Sequence, residues 1–433
     1  MDSQTRFYIA TLGCKVNQYE SQAIREAWED QGCVETRDPY QANLVLINSC
    51  AVTDRAMRDL RRMARRLHRE SPDARLVIAG CAVQAAREEM AGIPGMAELI
   101  PQSEKAGLKN LVKGISDPAR QSEQSGFPDY SIKDYKRARA VLKVQDGCSH
   151  RCTYCIVPKA RGPAGSRRPE DVLEEARRLI GAGFREIILS GINLRQYGED
   201  LEEAETCQDF WDLVLLLERE LASDWAGKAR LRLSSLDPGQ LTEKGLTVLR
   251  QSRMVCPHLH LSLQSLSPEV LRRMGRGHYR FREIYDFLME LKGVWPIFGL
   301  GADLLTGFPG ETAEDFQKTR DSLEKLPLSY AHVFPYSSRP GTPAAKYANQ
   351  VSQSEKKARA KILRETVFEK KQAFMSKLLD LEELKIIAEG EDPVRGVCEY
   401  YAPCRFKKGA CAGVREMLAA KPVGAGRDFM EVE

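Results

Sequence analysis

The chain has 433 residues, 42% of them hydrophobic and 29% charged, with a formal net charge of +4. That length supports two or three domains with cores of their own, and the composition excludes a disordered or membrane chain. No uninterrupted apolar run approaches the ~20 residues of a membrane helix, and no basic leader precedes an apolar run at the N-terminus. Neither export nor membrane spanning is therefore expected, and a cytoplasmic location is. The mild positive balance permits a polyanionic partner without demanding one. In a reducing compartment the 12 cysteines read as metal ligands or free thiols rather than disulfides.

Short apolar, β-branched runs occur at 6–13, 43–48 and 75–79, each followed by a helix-like segment: Gln18–Gln31, Thr53–Glu70 and Ala82–Met90. Such alternation predicts a parallel sheet flanked by helices. Each strand runs into a cysteine, Cys14, Cys50 or Cys81, at the carboxyl edge where open α/β folds bind ligands. A single buried cysteine would be ordinary packing. Recurrence in the equivalent βα turn instead points to three thiolates holding an iron–sulfur cluster with one iron left open. Cys33 falls outside the pattern and reads as inert. On the segment 53–70, Met57, Leu60, Ala64 and Leu67 form a core-facing stripe, while Arg58, Arg62, Arg65 and Arg69 occupy another face. That face is either solvated or holds RNA phosphates.

Residues 103–137 carry few regular signals and include the polar stretch 116–126, so 1–115 reads as one domain and 116–137 as a linker. From 138 to 375 a second alternation runs. Strands are expected at 140–144, 186–190, 230–234, 258–263, 297–304 and 330–334, with helices between them. Among those helices are Pro169–Ala182, Asp209–Ala222, Leu241–Gln251, Phe281–Lys292 and Ala313–Lys325. Six βα units predict a partial barrel with function at the carboxyl ends of its strands.

After the first of these strands comes CSHRCTYC, with Cys148, Cys152 and Cys155 spaced C-x3-C-x2-C. Three thiolates on a short loop hold three irons of a 4Fe–4S cube and leave the fourth open to a substrate or cofactor. The competing reading is half of a zinc knuckle. Zinc wants a fourth Cys or His, and only His150 is at hand, inside the loop where it is badly placed to ligate. Tyr154 sits beside the open position. Arg137, Arg139, Lys159, Arg161, Arg167 and Arg168 around this loop are further candidates for RNA contact. Residues 376–433 form a small terminal unit with β-like runs; its Cys398, Cys404 and Cys411 match no metal motif.

The C-x3-C-x2-C loop with an aromatic residue before its last cysteine resembles the signature of radical S-adenosylmethionine (SAM) enzymes. The longer GCSHRCTYCIVPKARGPAGSR, with TLGCKVNQYES, NSCAVTDRA and AGC further upstream, resembles the methylthiotransferases of that superfamily. The resemblance implies an α/β chain: an N-terminal open parallel α/β domain, a central radical SAM partial (βα)6 barrel, and a small C-terminal β-rich TRAM-like domain that binds RNA. It also implies two 4Fe–4S clusters, one on Cys148, Cys152 and Cys155 that binds SAM, the other on Cys14, Cys50 and Cys81. Further SAM contacts are implied at Tyr154, Ser190, Gly191, Ser234, Gln264 and Asp303.

TLGCKVNQYES with VQDGCSHRCTYCIVPKARGP is most similar to the group that methylthiolates C2 of N6-threonylcarbamoyladenosine at tRNA position 37. Related groups act on isopentenyladenosine in tRNA or on a ribosomal-protein aspartate. A rival of another class is a non-catalytic RNA-binding protein with structural metal sites. The enzyme reading calls for tRNA, a one-electron donor of flavodoxin or ferredoxin type, and a sulfur donor.

Overall fold

The structure, a computed structural model, describes residues 4–91, 98–113, 127–128, 130–201, 207–391, 394–407 and 412–433. The polar stretch 116–126 lies outside the described residues. Contacts group the chain into two compact units. One comprises Met1–Asp134, Gln145–Arg167 and Ser337–Ala345; the other comprises Tyr135–Val144, Arg168–Tyr336 and Lys346–Glu433.

In the first unit five parallel strands lie in the order Val34–Glu35, Arg6–Thr11, Leu44–Ser49, Arg75–Gly80 and Glu98–Pro101. All six residues of the central strand, LVLINS, are buried, as expected for a strand covered on both faces. Helices Lys15–Glu29 and Asp54–Glu70 follow the first and third strands in the chain. Thr53 starts the second helix by accepting a 3.1 Å hydrogen bond from the Ala56 N–H. Its buried residues are Met57, Leu60, Ala64 and Leu67, packed with Ile47 and Ile78. The segment expected as one helix over 82–90 is two, Cys81–Ala85 and Arg87–Ala91, interrupted at Ala86, whose φ of −147° is not helical. The outer strands are too short to leave a period in the sequence. Residues 102–113, expected to be irregular, form 3₁₀ turns that bury Leu108 and Leu111. The Trp28 indole N–H donates to the Leu108 carbonyl at 2.7 Å.

The second unit is built on parallel strands Ala140–Lys143, Glu186–Ser190, Arg230–Leu233 (resumed as Ser235–Leu236), His258–Gln264, Gly299–Thr306 and Tyr330–Pro335. Each pairs with its chain neighbour, giving the partial six-stranded barrel. Strand pleating puts fully buried Leu259, Leu261 and Leu263 on one face, with His258 and His260 on the other. A 26-residue helix, Gln353–Leu378, follows; it was not expected, because its buried residues include Lys356 and Arg359 and blur the apolar stripe.

The last segment folds into a six-stranded sheet ordered Met417–Ala420, Leu384–Glu391, Val394–Cys398, Pro403–Phe406, Met430–Val432 and Pro422–Ala425. All its pairs are antiparallel except Pro403–Phe406 with Met430–Val432. Cys398 and Cys404 lie in its core. Two barrel arginines fasten it. Arg230 donates to the carbonyls of Lys385 (2.6 Å) and Val397 (3.0 Å), and Arg232 to those of Cys398 and Glu399 (3.0 Å each). Buried Glu186 holds both guanidiniums, at 2.7 and 2.6 Å. Burial alone would push its carboxyl up; the two arginines hold it well below the usual carboxylate range.

Candidate active site: two sets of three cysteines

The loop carrying Cys148, Cys152 and Cys155 belongs to the first unit, and all three thiols are partly exposed. It is closed at its base by the antiparallel pair Gln145–Asp146 with Gly165–Ser166. The Cys148 N–H donates to the Gly162 carbonyl at 3.0 Å, and the Cys155 N–H to the Cys152 carbonyl at 3.0 Å, so the loop is wound tightly on itself. Gly147 has φ +65°, and any Cβ there would run into the Pro163 carbonyl. Only glycine fits the turn that starts the loop. Tyr154 lies partly buried between the last two thiols.

The second set is assembled from three strand ends. Cys14 is exposed, whereas Cys50 and Cys81 are buried. Gly13, at φ +103°, would place a Cβ only 2.7 Å from Cys50 Cβ and 3.0 Å from its Sγ, so glycine leaves the room that this thiol occupies. Burial pushes the Cys50 thiol up to about 11, and the charges of Cys81 and Cys14 push the same way. Burial likewise raises Cys81, against the opposing pull of Arg161 and Lys105. Three thiols that sense one another, near two buried cations, are a donor set suited to an anionic iron–sulfur cluster.

Those cations are the main functional feature that sequence reasoning missed. Lys105, fully buried, pairs with Glu20 and donates to Asn48 Oδ1 at 3.2 Å. Arg161, whose side chain is 2% exposed, bonds Asp146 at 2.7 Å, Glu20 at 3.1 Å and Asn17 Oδ1 at 2.5 Å. Asn17 in turn donates to the carbonyls of Leu12 (2.8 Å) and Ser49 (2.9 Å), tying the chain just before Cys14 to that just before Cys50. The i, i+3 spacing of Asn17 and Glu20 on one helix was a usable signal; nothing in the sequence marked Lys105.

Arg161 and Arg167, expected near RNA, are therefore interior residues; Arg167 bonds the Tyr19 hydroxyl at 3.2 Å. Arg139 is engaged by Glu389 at 2.7 Å and Glu186 at 3.4 Å. Lys159 is exposed and lines a cavity of about 670 Å³ in the first unit. Arg58, Arg61, Arg87 and Arg339 line it too, beside Ala51 and Ile156, the residues next to Cys50 and Cys155. Arg339 is held by Asp54 and by the Ala51 carbonyl at 3.3 Å.

The remaining candidates lie in the second unit, Ser190, Gly191, Ser234 and Gln264 at carboxyl ends of barrel strands and Asp303, expected there too, in mid-strand instead. Ser190 ends its strand and is 2% exposed; Gly191 follows it. Ser234 interrupts the third strand, its N–H on the Leu189 carbonyl at 3.0 Å. Gln264 closes the fourth with φ +59°, a conformation that costs a non-glycine residue energy and clusters at functional sites. Asp303, on the fifth, accepts from His260 and His332 at 3.1 Å each.

The chain is similar to known proteins over most of its length. Residues 142–323 match the model of the radical SAM superfamily, and residues 6–100 match that of the uncharacterized protein family UPF0004. A threonylcarbamoyladenosine tRNA methylthiotransferase MtaB of Bacillus subtilis (strain 168) is 37% identical over 362 residues, covering 81% of this chain and 77% of the relative. The Thermotoga maritima protein of that name is 32% identical, covering 92% and 90%. A tRNA-2-methylthio-N(6)-dimethylallyladenosine synthase of Carboxydothermus hydrogenoformans is 32% identical, covering 82% of each chain. Among solved structures, the radical SAM methyltransferase TsrM of Kitasatospora setae shares the fold, with a TM-score of 0.56 at 15% identity over 79% of this chain and 77% of that one.

Fold and site together define an enzyme of radical SAM type, whose cofactors are SAM and 4Fe–4S clusters. The chain belongs to the radical SAM methylthiotransferase family, in its MtaB-like group. Among the described residues no helix is long and apolar enough to cross a membrane.

Proposed function

We propose that this chain installs a methylthio group at C2 of N6-threonylcarbamoyladenosine at position 37 of tRNA. In this reading Cys148, Cys152 and Cys155 hold the cluster that binds SAM, and Cys14, Cys50 and Cys81 hold the one that delivers sulfur. The observation that carries it is that both sets of three cysteines belong to one compact unit. Ile156, next to Cys155, packs in the same apolar cluster as Ala51 and Cys81. A protein needing only electron transfer would have no use for two incomplete sets side by side.

An adenine C2–H bond is not acidic enough for a side-chain base, and the bound cofactors supply the one-electron chemistry and the sulfur that it requires. The chain's own part is binding, charge balance and exclusion of water. Burial keeps solvent from Cys50 and Cys81, two of the three thiols of one set. Lys105 and Arg161 balance the negative charge that ligating thiolates bring into the interior. Ser190, Gly191, Ser234 and Gln264, with Tyr154, are the groups proposed to hold SAM. Asp303, the further residue proposed for that role, has its carboxylate on two imidazoles. The basic cavity at Arg58, Arg61, Arg87 and Lys159 is suited to phosphates of the tRNA anticodon arm. The reading places the protein in the cytoplasm with an electron donor of flavodoxin or ferredoxin type.

Quantitative nucleoside mass spectrometry of tRNA from cells with and without the gene tests the proposal. Loss of the methylthio form with accumulation of threonylcarbamoyladenosine is the expected result. An unchanged ratio, with loss instead of methylthio-isopentenyladenosine, would move the chain to the other tRNA-modifying group.

A further inference from the structure

Three neighbouring strands of the barrel bring together an aspartate and two histidines, and the reaction above assigns the histidines no role. His260 stands on His258–Gln264, Asp303 on Gly299–Thr306 and His332 on Tyr330–Pro335. In the ladder His260 faces Gly301, and Asp303 faces His332. Asp303 is two residues beyond Gly301, so pleating puts it on the same face. His260 Nε2 and His332 Nδ1 each lie 3.1 Å from Asp303 Oδ1, and the three atoms fall within 4.8 Å of one another.

We propose that His260, Asp303 and His332 bind a divalent first-row transition-metal ion. Two imidazoles and one carboxylate, on rigid strands and with coordination positions to spare, are a donor set for Fe²⁺, Mn²⁺, Co²⁺ or Zn²⁺. The surroundings fit a ligand role. Metal-ligating histidines are oriented through their second ring nitrogen, and His260 Nδ1 lies 2.9 Å from the Tyr330 hydroxyl. That hydroxyl is also 2.9 Å from His258 Nε2. With a cation on His260 Nε2, the Nδ1–H donates to Tyr330, whose own proton goes to His258 Nε2.

Gly301 makes this possible, since a Cβ there would collide with the Tyr330 ring and with His260 Nδ1. Charge is consistent as well. Among the described residues no lysine or arginine pairs with Asp303, whose ionic partners are the two histidines. Side-chain exposure rises from 8% at His260 to 24% at Asp303 and 57% at His332, which leaves an open side for metal entry and for exchangeable oxygen ligands.

The test is Mn²⁺ titration of the anaerobically reconstituted full-length holoenzyme, with its clusters oxidised and EPR-silent, following the free Mn²⁺ signal; Co²⁺ uptake by equilibrium dialysis is the companion measurement. Loading the clusters first keeps the six cysteines out of the competition. One saturable ion per chain is expected. Asp303→Asn and His332→Ala should each abolish it, and Tyr330→Phe should weaken it by about 10- to 100-fold, the usual effect of losing an orienting partner. Iron content and circular dichroism equal to wild type would show that the variants fold. No uptake of either ion by the wild type, or undiminished uptake in both ligand variants, would overturn the proposal and leave a hydrogen-bonded triad.

Discussion

The two cysteine sets have the same number of thiols and are built in opposite ways. Cys148, Cys152 and Cys155 lie within eight residues, partly exposed, on a loop shaped by its own backbone hydrogen bonds. Cys14, Cys50 and Cys81 come from three strands, two of them buried over Lys105 and Arg161. The first depends on local turn geometry, so it should fail when that geometry is disturbed and otherwise be indifferent to the fold. The second has no local geometry to rely on. Sheet register sets its thiols in place, and interior charges make their ionised form tolerable.

The sharpest break in this comparison is removal of one thiol from each set. Cys152→Ala should abolish formation of 5′-deoxyadenosine from SAM by the reduced enzyme. Cys50→Ala should retain that cleavage and lose methylthio transfer to tRNA, both read by mass spectrometry. Equal loss of both activities in two folded variants would mean that the sets do not divide the work. Next in size is Gly147→Ala, which forces a Cβ against Pro163. It should remove about half of the reconstituted iron, the half held by the loop, while Mössbauer spectra keep the other cluster.

Lys105→Met should act on the other set. It leaves Glu20, which is fully buried, short of one of its two cationic partners. Breaking a buried pair in this way costs about 3–5 kcal/mol, measurable as a lower urea midpoint, and iron should now be lost from the strand-end set. The smallest effects belong to the surface. Arg58→Ala should lower the slope of log affinity for tRNA against log salt by about 0.7–0.9, the loss of one phosphate contact. Arg62, 80% exposed and paired with Asp59 at 2.8 Å, should change stability by less than about 1 kcal/mol when made alanine.

Legibility in the sequence followed the same division. Strand Glu186–Ser190, a buried β-branched run, and helix Ala313–Lys325, opened by the Thr312–Asp315 capping box, agree with expectation to the residue. Strands Val34–Glu35 and Glu98–Pro101 were invisible at two and four residues. Helix Gln353–Leu378 was hidden because it buries long cationic side chains along with apolar ones. Arg161 reads as a surface cation beside glycine and proline, yet it lies in the interior; the carboxylates that accept it, Glu20 and Asp146, are 141 and 15 residues away in the chain.

By itself, then, the sequence determined the elements whose information is local: the C-x3-C-x2-C loop, the six βα units, and the placement of Cys14, Cys50 and Cys81 after successive strands. Family membership rests on those residues. Tertiary structure alone decided which charges go inside and what they meet there. Lys105 beneath the strand-end thiols, Glu186 between two arginines, and Asp303 between two histidines are products of register and burial. A buried charge is stable only beside its partner, and chains reveal partners only when folding brings distant segments together.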